Sequence, residues 1–263
     1  MTFLDVLRSG RTLLMDGAMG TELMRRGYAG PTWRANLDAP QLVRAIHAEY
    51  VAAGAEVVLT NTFLLPYAVG DRREIANVAI DLARASGAAW VLGAIGPANA
   101  TDVEACAVAL DSVDAILLET WSDPSAFAIA ATLKQKLPDL PVLVSFSFAP
   151  GEEEKARELA SEAERSEIVA LGVNCGREQT PDDMGRTLDV FRSKTTKLLF
   201  ARPNAGTPQV VDNVWVHPSA TNLWAETTAD LRDRGAIMLG GCCGTKPAVL
   251  GELRRRLNKT SPA

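Results

Sequence analysis

Short apolar runs alternate with longer stretches of helical periodicity along this chain, and every apolar run stops at small or polar residues. The runs cover residues 12–15, 56–59, 90–95, 115–118, 141–144, 168–173, 197–201 and 236–239. Strands buried on both faces need continuous apolar runs of this kind, and intervening patterns such as 41–53 and 124–137 have the period and length of crossover helices. Eight such units predict one (β/α)8 barrel over residues 1–263, with a polar, frayed tail near 258–263.

In such a barrel the residues that end the strands meet on one face, where the chemistry is done. Strand one ends at Asp16-Gly17, strand two at Thr60-Asn61-Thr62, strand four at Glu119-Thr120, strand six at Asn174-Cys175, strand seven at Arg202-Pro203-Asn204 and strand eight at Gly240-Gly241-Cys242-Cys243. Closure makes strand eight the neighbour of strand one, so Asp16 comes close to the cysteines and Glu119 faces it across the mouth. An Asp-Gly after a strand is by itself an ordinary turn. Glu119 directly follows Ile116-Leu117-Leu118, and a carboxylate in so desolvated a place needs a cation or hydrogen-bond donors.

Three of the four cysteines fall on that face. Cys242 and Cys243 are adjacent, and neighbours on a strand point to opposite sides; both reach one ion only beyond the strand, where Gly240, Gly241 and Gly244 allow sharp turning through positive φ. With Cys175 they make three thiolates, which leave a tetrahedral zinc one ligand short, as in catalytic sites. Packed free thiols or a vicinal disulfide are the alternatives for an adjacent pair. Cys106 sits in a helical stretch without a glycine turn and is expected to pack. His47, in a helix before strand two, and His217, beside a proline, are expected to be structural.

Composition narrows the partners. The net charge of −5, from 32 acids against 27 bases, with no basic run, argues against nucleic acid. No apolar stretch reaches the roughly 18 residues of a membrane helix, and the start of the chain lacks a basic segment followed by an apolar one. A cytoplasmic protein with reduced thiols is expected, and no oligomeric state is implied.

The segments Asp16-Gly17-Ala18-Met19-Gly20-Thr21, Thr60-Asn61-Thr62-Phe63, Glu119-Thr120, Gly172-Val173-Asn174-Cys175, Pro203-Asn204-Ala205-Gly206 and Gly240-Gly241-Cys242-Cys243-Gly244-Thr245 follow in order over nearly the whole chain. Together they resemble the homocysteine S-methyltransferase family, with its betaine-, S-methylmethionine- and cobalamin-linked members. The resemblance implies that Cys175, Cys242 and Cys243 bind Zn2+. It also implies that Asp16 and Glu119 receive the amino group of homocysteine, while the chain around Gly17 and Thr60 approaches its carboxylate and Asn61 belongs to the same substrate site. The implied reaction is transfer of a methyl group from a small donor to the homocysteine thiol, giving methionine. Aromatic faces attract onium cations, and Phe63, Trp121 and then Trp33 are the candidates to hold the donor. Betaine-using relatives carry tyrosines where this chain has Leu64 and Thr120, which turns the expectation toward a sulfonium such as S-methylmethionine. Methyltetrahydrofolate or a methylated corrinoid is the alternative donor, the latter needing a further domain or a separate protein. A barrel that stores zinc or senses oxidants through its thiols, without turnover, is the alternative from another class, and it has no need of the two carboxylates.

Overall fold

The computed structural model describes residues 1–176, 180–207, 209–211, 214–217 and 221–259. Its strands are β1 (Leu13–Leu14), β2 (Val57–Leu59), β3 (Trp90–Ile95), β4 (Ala115–Trp121), β5 (Val142–Phe146), β6 (Ala170–Cys175), β7 (Leu198–Pro203), β8 (Gln209–Val211), β9 (Val214–Val216) and β10 (Ala236–Leu239). Eight of them form one parallel sheet in the order β1-β10-β7-β6-β5-β4-β3-β2. A bridge between Met15 and Val57 joins its two edges, flanked by Asp16 N–H to Val57 O at 2.9 Å and Glu56 N–H to Leu14 O at 2.8 Å. The sheet is therefore a (β/α)8 barrel, and each barrel strand lies on one of the eight apolar runs.

Alternation along the strands sorts their side chains into two layers. Leu13, Met15, Val57, Leu59, Leu92, Leu117, Leu143 and Phe200 fill the barrel interior. Leu14, Val58, Val91, Ile116, Leu118, Val144, Leu171 and Leu239 face the surrounding helices. Gly172 makes room for Phe200, whose ring a Cβ at that position would meet at 2.3 Å. The short helix Phe3–Arg8, started by a Thr2/Asp5 capping box, closes the lower end, where Phe3 packs on Trp90 with ring centroids 5.5 Å apart.

The outer helices carry apolar faces at helical spacing. In Arg72–Arg84 the buried residues are Ile75, Ala76, Ala79, Ile80 and Ala83, and the Asp71 carboxylate accepts the backbone N–H groups of Arg73 and Glu74 at its start. Pro40 and Pro181 begin two others, at positions whose N–H has no partner inside the helix.

Three features differ from the pattern of the sequence. Strand β4 runs three residues past its apolar run and β5 to β7 run two past theirs, because the strand tips stay in the ladder, with Glu119, Ser145, Asn174 and Arg202 at inward positions. Residues 207–222, which look irregular, contain the antiparallel pair β8 and β9; the β-branched residues around Asp212-Asn213 carry the signal. Asn258 and Lys259 belong to the last helix, Pro247–Lys259, instead of a frayed tail, and the rest of that tail lies outside the described residues.

Candidate active site at the carboxyl ends of the strands

The upper interior of the barrel is polar. Continuing the inward positions of the apolar layer, β4 supplies Glu119, β5 Ser145, β6 Asn174 and β7 Arg202, all buried. Above them opens a cavity of about 440 Å³, whose lining includes the polar residues Asp16, Glu119, Arg202, Cys175, Cys242 and Cys243 and the apolar residues Met19, Met24, Phe63 and Leu64.

The three sulfurs lie within 4.8 Å of one another, and all three thiols are free. Cys175 sits two places from Val173 on the helix-facing side of β6, yet it lines the cavity. Its φ of 58° turns the chain at the strand end and reverses the expected direction. Cys242 and Cys243 lie in a loop pinned by Gly241 N–H to Asp16 O at 2.9 Å, Cys242 N–H to Pro203 O at 2.9 Å and Ala205 N–H to Cys243 O at 2.9 Å. Of the glycines around them, Gly244 alone has positive φ, at 78°. Gly240 and Gly241 are required for close approach instead, since a Cβ on Gly241 would lie 2.2 Å from Thr245 Oγ1.

Amide groups support the sulfurs. Asn174 Nδ2 donates to Cys242 Sγ at 3.8 Å and to Thr120 Oγ1 at 2.7 Å, while its Oδ1 accepts from Ser145 Oγ at 2.8 Å. Asn204 Nδ2 donates to Cys175 Sγ at 3.7 Å. Hydrogen bonds from Cys242 and Cys243, with that from Asn204, pull the Cys175 thiol down to about 3. Donating to Cys175 pushes Cys242 up to about 11 and Cys243 upward as well. A soft divalent cation fits this donor set: three sulfurs that compete for protons accept one ion together, and the neighbouring amides orient them.

Arg202 is the residue that sequence reasoning missed. It is 3% exposed and lies between the two carboxylates, its Nη1 donating to Glu119 Oε1, and its Nη2 to Asp16 Oδ1 at 3.1 Å and to Gly17 O at 3.4 Å. Its position two residues beyond the interior Phe200 was the available signal, because a buried guanidinium requires acids around it. Burial pushes Asp16 and Glu119 up to about 7, against the pull of Arg202. Burial also works against the charge of Arg202, but Glu119 and Asp16 outweigh it and raise its pKa.

The remaining expected residues divide. Gly17, Thr60, Asn61 and Phe63 line the cavity. The Thr60 hydroxyl accepts Ala94 N–H at 3.2 Å, and the Asn61 amide donates to Thr32 O at 2.6 Å and Asn36 Oδ1 at 3.1 Å, tying down the segment that follows the first helix of the mouth. Trp121 does not line the cavity. It is 2% exposed and packs in the helix-facing layer, because the register shift between Leu118 and Trp121 and the φ of 63° at Thr120 undo the alternation that would have aimed it inward with Glu119. Trp33, also buried, stands outside the cavity wall, although the neighbouring Thr32 lines it. Cys106 is fully buried in the helix-facing layer, as expected.

The family model described as homocysteine S-methyltransferase matches residues 13–257. The chain is 29% identical to the methionine synthase of Mycobacterium tuberculosis over 95% of its own length, and spans only 25% of that protein. It is 24% identical to the homocysteine S-methyltransferase YbgG of Bacillus subtilis, with 92% of this chain and 93% of that one covered. Among solved structures it resembles the homocysteine methyltransferase MmuM of Escherichia coli. The apo form is 25% identical with a TM-score of 0.73, over 93% of this chain and 95% of that one. The metallated form is 24% identical with a TM-score of 0.77, over 96% and 98%.

Proposed function

The chain belongs to the homocysteine S-methyltransferase family, and on that premise we propose that it transfers a methyl group from a small sulfonium donor to the thiol of homocysteine, forming methionine, with zinc held by Cys175, Cys242 and Cys243. The observation that carries this reading is the opening of three clustered sulfurs and a buried acidic group onto one cavity. A store or sensor of zinc needs the sulfurs but has no use for the acids.

When bound, zinc supplies an acceptor thiol held as thiolate near neutral pH, where a free thiol is mostly protonated. The chain's own groups do the rest. Asp16, Glu119 and Arg202 together carry a net charge of −1 when ionised, which one ammonium group balances. A second cation there also draws the two carboxylates back from about 7 and keeps them charged. The acceptor is thus oriented by its amino end while its sulfur faces the thiol cluster. The sulfur forms its bond to the methyl carbon as the donor's own carbon–sulfur bond breaks, and the donor departs as a neutral sulfide with no proton transferred. Phe63, Met19, Met24 and Leu64 add apolar lining to the same cavity, which disfavours water and suits a methylsulfonium better than a strongly solvated anion.

Likeness to a methionine synthase gives the folate or corrinoid donor its place as the second reading. Incubating zinc-loaded protein with homocysteine and each of S-methylmethionine, betaine, methyltetrahydrofolate and methylcobalamin, and measuring methionine, decides between them. Turnover with the sulfonium is expected; methionine formed only from the folate or the corrinoid overturns the donor assignment.

A further inference from the structure

We propose that Arg202 is a specificity-determining positioning residue of the acceptor site, which leaves one carboxylate oxygen, Glu119 Oε2, to take the ammonium group of the acceptor thiol. The inference rests on the homocysteine reading and refines it. Asp16 and Glu119 look equivalent in the sequence, but their surroundings differ. Asp16 uses both oxygens internally: Oδ1 accepts from Arg202 Nη2 at 3.1 Å and Oδ2 accepts Leu59 N–H at 2.9 Å, and the side chain is 3% exposed. Glu119 uses one. Its Oε1 accepts from Arg202, whereas Oε2 has no hydrogen bond from any described residue and is not among the sealed, partnerless atoms of the interior. The Glu119 side chain is 10% exposed, and the residue lines the cavity.

Arg202 creates this difference. Its Nη2 is tied to Asp16 and to Gly17 O on the β1 side, and its Nη1 reaches across the barrel to Glu119. A guanidinium is a rigid planar fork, so an anchor at one end fixes the carboxylate at the other. Arg202 is also the only side chain among the described residues that hydrogen-bonds Glu119. Without it, two buried carboxylates share the space unpaired, and neither is aimed. With it, one negative charge is cancelled and one oxygen faces the acceptor, so the site takes a thiol with a single ammonium group and rejects the same thiol without it. Asp16 acts here through Arg202 and does not touch the acceptor.

The test is equilibrium binding of homocysteine and of 4-sulfanylbutanoic acid, which is homocysteine lacking its amino group, to zinc-loaded protein with no methyl donor present. The parent is expected to prefer homocysteine. Glu119→Gln and Arg202→Met should each cut that preference about tenfold or more, the scale of one lost hydrogen bond to a charge. Arg202→Lys, a point charge in place of the fork, should fall between. Asp16→Asn should cost less, and should add nothing in the Arg202→Met background, since residues acting through one contact are not additive. Should Arg202→Met not fold, Arg202→Lys alone and with Asp16→Asn carries the same comparison. A full preference in the folded Arg202 variants overturns the inference and leaves the acceptor assignment standing. So does a loss in Asp16→Asn equal to that in Glu119→Gln and additive with the Arg202 change, which would put Asp16 on the amino group itself. A parent that binds neither thiol, or both equally, overturns the acceptor reading along with it.

Discussion

Thr120 and Cys175 are the two non-glycine residues with positive φ among the described residues, and both stand at the site. Such conformations cost roughly 1–3 kcal/mol each and persist where the surroundings fix them; here the Asn174 amide holds Thr120 Oγ1, and the positive φ of Cys175 turns its sulfur toward the cavity. The cysteines and acids were legible in the sequence as residue types at strand ends. Their partners were not, because hydrogen bonds such as Asn174 to Cys242 join residues far apart in the chain. His47, outside the site, shows a different consequence of burial. It is fully buried, neither ring nitrogen has a partner among the described residues, and burial pushes its pKa down to about 4 from 6.5. The unfolded chain protonates this ring near 6.5 and the folded chain only near 4, so the contribution of His47 to stability is complete above 6.5 and is lost as the pH falls through that window. The full loss is about 3 kcal/mol. Denaturant titrations at several pH values should show a steeper acid decline for the parent than for His47→Leu by about that amount. Parallel declines would show that another group governs it.

At the scale of the element, β4 separates what the sequence shows from what it hides. Its apolar core predicted the strand, and the carboxylate after it lies at the cavity, where a strand-end residue was expected. The bulge that follows has no signature in Leu118-Glu119-Thr120-Trp121, and a change of one residue in register sends a side chain to the other face. Phe63 and Trp121 therefore part company as donor-binding candidates. Phe63→Leu is expected to raise the apparent Michaelis constant of the sulfonium donor several-fold more than that of homocysteine, the scale of one cation–π contact. Trp121→Ala is expected to leave the ratio of the two constants unchanged while lowering stability by about 3–5 kcal/mol, as loss of a large buried ring does. Steady-state kinetics and thermal melts of the two variants check this; a donor-selective defect in folded Trp121→Ala would return that ring to the site. The β8–β9 pair has a β-branched signal in the sequence, but two strands of 3 residues each are too brief to stand out from a loop.

At the scale of the molecule, barrel closure makes the site. Asp16 after the first strand, Glu119 on the fourth, Cys175 on the sixth, Arg202 on the seventh and the paired cysteines after the last are separated by up to 227 positions between Asp16 and Cys243, yet they meet because β1 and β10 are neighbours and every barrel strand points the same way. The eightfold repeat of apolar runs made that architecture legible, and with it the face on which the chemistry lies. What stayed hidden was the inside of the face, where a buried cation organises the acids. No helix among the described residues is long and apolar enough to cross a membrane. The proposed methyl transfer to homocysteine depends on one zinc held by the three converging thiols. The most direct measurement is methionine formation by the purified protein after removal of metal with a chelator, followed by titration with zinc. Loss of activity on removal and its return at one zinc per chain is the expected result. Undiminished methionine formation by protein shown to be free of metal would contradict it.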